Sequence, residues 1–246
     1  VYRDIFRNPL LGGLYGATAC IITAHFAAFT YIESLLINLQ GVPATALSGL
    51  LLLSGVSGLL GNVIAGKLID RHLKGLIFAA LLLSGGALAL LGAARLAPLP
   101  VSGLLGNVIA GKLIDRHLKG LIFAALLLSG GALALLGAAR LAPLPFCFSG
   151  LLLALWGAGI AIVFVGLQTW LLRSAGAVAQ PASAIYVAIF NAAIGTGAFV
   201  GGQLIASAGL SGMVWLAAGI MVGSTLLIAL LKAPLPGQIG AATAGA

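Results

Sequence analysis

Residues 56–100 read VSGLLGNVIAGKLIDRHLKGLIFAALLLSGGALALLGAARLAPLP, and residues 101–145 repeat them letter for letter. Each copy sets a charged turn, GKLIDRHLKG, between two apolar runs. The two turns hold six of the twelve basic residues, two of the four acidic residues and two of the three histidines. Two apolar runs joined by a short charged turn form a helical hairpin, its flanks in hydrocarbon and its turn in water. The rest of the chain is read outward from this unit.

Composition points the same way. With 61% hydrophobic and 7% charged residues and a mean hydropathy of +1.21, the chain lacks the charge needed to cover a soluble domain. Apolar runs of membrane-spanning length recur throughout, which predicts an all-α fold: a polytopic transmembrane helical bundle forming one domain over 1–246. The 36 glycines suit helices that approach closely in lipid. The net charge of +8 sits in clusters between apolar runs, as in cytoplasmic loops and unlike a nucleic-acid-binding patch. Cys20 and Cys147 lie in or beside apolar runs and are expected to be buried thiols without a disulfide. No cleavable signal is evident, and the opening Val-Tyr-Arg-Asp reads as part of a longer protein.

Taken in order, Pro9 is placed to open a helix, and a first span runs from Leu10 to about Leu36. Gly12 and Gly16 form a GxxxG pair, a helix-packing signal. Further spans are expected at about 44–69, 76–95, 98–114, 121–140, 146–171, 182–207 and 212–232, about eight in all, with a disordered tail at 233–246. The segment 98–114 is short, roughly 22–25 Å against a core of about 30 Å. Lys112 reaching to the interface and local thinning can make up the difference, so the segment is expected to span or else to form a re-entrant half-helix. If that segment crosses, ten basic residues share one side: Arg3, Arg7, Lys67, Arg71, Lys74, Lys112, Arg116, Lys119, Arg173 and Lys232. Arg95 and Arg140 lie opposite, and this bias places both termini in the cytoplasm.

The charged turn has the form G-x-x-x-x-G-x-x-x-D-R-x-x-K, at Gly61, Gly66, Asp70, Arg71 and Lys74, and again at Asp115, Arg116 and Lys119 in the second copy. It resembles the cytoplasmic signature loop between the eighth and ninth helices of the major facilitator superfamily. HFAAFTYIESLL (25–36), WGAGIAIVFVGLQTWLLRSAG (156–176) and ASAIYVAIFNAAIGTGAFVGGQLIASAGL (182–210) resemble the C-terminal half of bacterial drug and sugar efflux permeases, the arabinose-efflux type among them. The resemblance implies six helices of a half-transporter plus a duplicated helix pair, working by proton-coupled alternating access in a bacterial inner membrane. It also implies a small-molecule substrate, a sugar or small amphipathic compound, and a partner N-terminal half of six helices. The second copy has no counterpart in that family. Its complete identity marks a duplication without divergence, whether recent, engineered or an error of sequence assembly, and not a solenoid array.

Ionisable and amide groups inside a membrane are costly, so they are the candidate pathway residues. His25 and Asn191 lie near the middle of their spans, and the resemblance implies that both line a central cavity. Either one can instead bond between helices. Glu33 is a carboxylate toward the outer end, able to load a proton or to sit at the wet interface. Gln168 and Tyr31 are further candidates, with Asn38 at the outer end, and Trp170 reads as an interfacial anchor. Asp70, Arg71, Lys74, Asp115, Arg116 and Lys119 read as gate and topology residues. No metal-ligand spacing, nucleophile elbow or phosphate loop is present. The chain is read as neither an enzyme nor a cofactor binder, its surroundings being the lipid bilayer and protons.

The topology has a direct check. In a background lacking Cys20 and Cys147, cysteines at Leu99 and Leu144 are expected to label from outside the cell and one at His117 only from inside. Outside labelling at 117 would mean that 98–114 does not cross.

Overall fold

A computed structural model describes residues 2–38, 41–68, 117–138 and 145–231. All regular structure among them is helical: α1 (Tyr2–Arg7), α2 (Pro9–Phe29), α3 (Ile32–Asn38), α4 (Ala44–Leu68), α5 (His117–Ala138), α6 (Phe146–Ala175), a 3-10 turn (Gly176–Val178) and α7 (Ala179–Leu230). The expected spans 76–95 and 98–114, Asp70, Arg71, Lys74, Asp115, Arg116 and the tail lie outside the described residues.

Local chemistry sets the boundaries. Asn8 caps α2, its Oδ1 accepting from the Leu10 and Leu11 N–H groups at 3.0 and 3.4 Å, with Pro9 in the first turn where its missing N–H costs nothing. The first apolar run is not one helix: it tightens at Thr30–Tyr31 before α3 continues. Four stretches are long and apolar enough to cross a membrane: Pro9–Phe29, Thr45–Asn62, Leu118–Ala138 and Cys147–Leu230. The last is interrupted twice, at Gly176 (φ 53°) and at Gly209 (φ 74°, ψ 171°). Both conformations strain any residue with a Cβ. It therefore comprises α6 and two arms of α7, 179–208 and 210–230.

Contacts between helices fix their directions. Tyr15 Oη donates to the Ala182 carbonyl and Tyr31 Oη to the Ala198 carbonyl, each at 2.9 Å. The two bonds share one sequence offset, so α2 and the first arm of α7 run parallel. Leu50 meets Gly150, Ser54 meets Gly157 and Gly61 meets Ala158, so α4 runs parallel to α6. Ile122 meets Gly166 and Ser129 meets Gly159, so α5 is antiparallel to α6; Gly130 meets Val222 and Gly137 meets Val214, so it is also antiparallel to the second arm of α7. Hence α4 and α5 are antiparallel, and Leu68 and His117 lie at the same face of the bundle.

That face is basic. Lys119, in the first turn of α5, donates from Nζ to the Ala229 and Leu231 carbonyls at 2.6 Å each. A cation there satisfies orphan carbonyls and opposes the negative end of the last helix. The end of α4 with Lys67, the end of α6 with Arg173, and Arg3 and Arg7 before α2 share this face. Glu33, in the first turn of α3, lies at the opposite one.

Several sequence expectations are corrected. Gly12 and Gly16 are exposed with no atom near a would-be Cβ; the packing glycines are Gly197 and Gly201, whose Cβ positions fall 2.6 Å from the Thr23 and Ala27 carbonyl oxygens. The GxxxG signal is real physics on the wrong helix, because spacing says nothing about which face meets a neighbour. Cys20 and Cys147 are exposed rather than buried. Trp170 is fully buried in the core, not set as an anchor. Helix α5 also starts earlier than expected, taking in His117 and Lys119.

The parallel pairing of α2 and α7 yields a stability test. Gly201→Leu is expected to destabilise the bundle by about 1–3 kcal/mol, since backbone opposite it cannot yield as a side chain does. Gly195→Ala, with open space around it, is expected to be neutral or stabilising by up to about 1 kcal/mol. Thermal unfolding in detergent distinguishes the two.

Candidate functional site

Helices α2, α4, α6 and the first arm of α7 surround a cavity of about 780 Å³. Small residues shape its walls: Gly157 accepts Ser54 and Ser57 closely, and Gly61 lies against the Ala158 backbone. Such contact draws α4 onto α6. The larger side chains of the same helices then project into the space left beside α2.

At one wall sits His25, held in an aromatic box. Its ring is stacked on Phe29 at 5.3 Å and 21°, and edge-on to Phe26 at 4.9 Å, Trp156 at 5.3 Å and Phe164 at 5.5 Å. The box extends through Phe164 to Phe190 at 5.0 Å. Tyr186 Oη donates to the Phe164 carbonyl at 3.3 Å, tying α7 to α6 behind these rings. His25 Nδ1 and Trp156 Nε1 are buried without a hydrogen-bond partner. An unpaired buried polar atom costs free energy; the same holds for Trp170 Nε1 and Ser129 Oγ, which do not line this cavity. Ser54, Asn62 and Gln168 add uncharged polar side chains to the lining, which among the described residues has no acidic, lysine or arginine residue.

The structure separates the other sequence candidates. Gln168 joins His25 in the cavity. Asn191 does not line it: its side chain is exposed, with Nδ2 donating to the Val187 carbonyl of its own helix at 2.8 Å. Tyr31 serves the α2–α7 bond and lines a second, smaller cavity of about 360 Å³ with Ser34 and Asn38. Glu33 is exposed and lines neither cavity. Gly61 is a close-packing residue against α6; Gly66 lies within α4. Lys119 caps the last helix, as described above.

Sequence reading missed Asn62, Trp156 and Phe164. Asn62 carried a usable signal, an amide inside an apolar helix, equal to the one that singled out Asn191. Trp156 and Phe164 carried none, since aromatic residues in apolar runs are ordinary core. Chemically, the lining offers aromatic surfaces, a histidine and the neutral amides of Asn62 and Gln168, while Trp156 Nε1 and His25 Nδ1 are themselves buried. Such a lining is chemically suited to uncharged or amphipathic molecules, which stack on aromatic faces and need few directed hydrogen bonds. Among the described residues no group of His, Cys, Asp or Glu could hold a metal ion.

If His25 is kept for ligand contact rather than for packing, His25→Phe should preserve or raise stability. The expected change in detergent unfolding lies within about 1 kcal/mol of zero or is stabilising, because an orphaned nitrogen is removed. A loss above about 2 kcal/mol would show that His25 holds the bundle together. The chain matches no protein-family model.

Proposed function

We propose that this chain is the C-terminal half of a proton-coupled efflux permease of the major-facilitator type, exporting sugars or small amphipathic compounds by alternating access. The observation that carries the reading is the cavity itself: an aromatic box around an unpaired imidazole and indole, supplemented by neutral amides, between apolar helices of membrane-spanning length. Membrane-buried polar groups of this kind mark substrate and proton pathways. His25 is the pathway group, with Gln168 in the same cavity lining, and either His25 or Glu33, toward the opposite end, is the candidate proton-loading group.

Two features support a partner half. Asn191, Thr196, Gln203 and Ser207 are exposed on the first arm of α7, where lipid would be an unfavourable surrounding for amides and hydroxyls. A second helical bundle, or a water-filled cleft shared with it, removes that cost. The basic face of Arg3, Arg7, Lys67, Lys119 and Arg173 supports a cytoplasmic orientation in a bacterial inner membrane. The described residues contain four stretches long and apolar enough to cross a membrane, and an eight-span arrangement remains part of the proposal.

The runner-up is a rearranged membrane protein that inserts and packs with a partner half but does not transport alone. Expressed by itself, the chain is expected to give no efflux above an empty-vector control, and co-expression with a six-helix partner half is expected to restore it. Clear efflux by the chain alone would overturn the half-transporter reading; failure with every partner half would favour the runner-up.

A further inference from the structure

The residues before Asn8 form a short helix whose sides differ in chemistry. Asn8 sets α1 off from α2, its extended backbone (φ −78°, ψ 111°) breaking the helix axis. At about 100° per residue, Ile5 stands on one side of α1. Tyr2 and Phe6 come next, within about 40° of each other, and then Arg3 and Arg7, each about 100° beyond an aromatic residue. The Asp4 position is roughly opposite the aromatic pair. Exposure follows this order. Ile5 is 1% exposed and belongs to the hydrophobic core, whereas Tyr2 and Phe6 are 62% and 66% exposed. Arg3 and Arg7 are exposed as well, and among the described residues neither guanidinium has an ion pair or a hydrogen bond. The helix lies at the basic face of the bundle, which it shares with Lys67, Lys119 and Arg173.

We propose that α1 is an interfacial helix that holds an anionic phospholipid of the leaflet at the basic face. Arg3 and Arg7 pair with the lipid phosphate, while Tyr2 and Phe6 enter the glycerol and upper acyl region. The proposal rests on the membrane-embedded reading of the bundle and is independent of transport. An aromatic pair left in water gains nothing, but at the bilayer interface such rings bury apolar surface at headgroup level. A guanidinium presents paired N–H donors to phosphate oxygens, and two without protein partners are available to do so. Burial of Ile5 fixes the helix to the bundle, so the aromatic and arginine pairs are held outward together. Two arginines and one aspartate leave α1 with a net charge of +1, and the aspartate position is turned away from the aromatic pair where the lipid is held. A leaflet of negative headgroups attracts juxtamembrane basic residues, each worth about fivefold in binding.

Lipid titration decides it. The full chain is purified in a neutral detergent and titrated with phosphatidylglycerol, and bound lipid is counted by native mass spectrometry. Phosphatidylglycerol is expected to bind, and the double variant Arg3→Gln/Arg7→Gln to bind it about 30-fold more weakly. The double variant Tyr2→Ser/Phe6→Ser is also expected to lose affinity, because the rings carry the apolar part of the contact. Unchanged binding in either double variant, or equal binding of phosphatidylcholine, would overturn the proposal and leave the face to a protein partner. An equal loss in Arg173→Gln would assign the binding to the charge of the face in general and overturn α1 as the site. Excess inorganic phosphate is expected to leave the lipid bound; displacement would make this an anion site and not a lipid one. The unsubstituted chain and both double variants are expected to stay in the membrane through alkaline carbonate extraction, since the spans and not α1 hold them there. Release of the unsubstituted chain would overturn the membrane reading itself, a failure distinct from unchanged lipid binding.

Discussion

The structure depends on the parallel seam between α2 and the first arm of α7. Tyr15 and Tyr31 close its two ends, each donating to a carbonyl on α7, about 24 Å apart along the helix. Between them Gly197 and Gly201 bring the α7 backbone against Thr23 and Ala27. In lipid no hydrophobic force drives helices together, so association rests on dispersion at close range and on polar groups that find partners. The seam supplies both, and each tyrosine satisfies a hydroxyl that would otherwise be costly in hydrocarbon.

The candidate site follows from that seam. With α2 held against α7, one side of α2 is committed to packing, and His25, Phe26 and Phe29 line the space facing α6 and α4. On that side α6 offers Trp156 and Phe164, while glycines draw α4 in toward α6. The cavity is thus the space enclosed by two close-packed helix pairs whose bulky side chains have nowhere else to go. Its His25 Nδ1 and Trp156 Nε1 are buried without a partner, a cost that the packing around them does not remove.

The repeat shows how far helix directions can be fixed when a sequence is locally ambiguous. The antiparallel relation of α4 and α5, with Lys119 capping the end of the last helix, places the charged ends of the helices at one face.

Much was legible in the residues alone. Hydropathy and length determined that the chain is helical and apolar enough for a membrane, because only helices satisfy their own backbone there. Asn8–Pro9 determined where α2 begins, and the glycine-bearing turns near 176 and 209 determined where the later helices part. His25 and Gln168 were identifiable as intramembrane polar groups by cost alone. Only the tertiary structure decided which glycines pack, since Gly12–Gly16 and Gly197–Gly201 have the same spacing and differ in what they face. It likewise decided that Asn191 stays out of the lining of the cavity that His25 enters and that Trp170 is core. Each of these depends on the rotation of a helix about its axis relative to a neighbour, and in a helix apolar all round no sequence periodicity records that rotation.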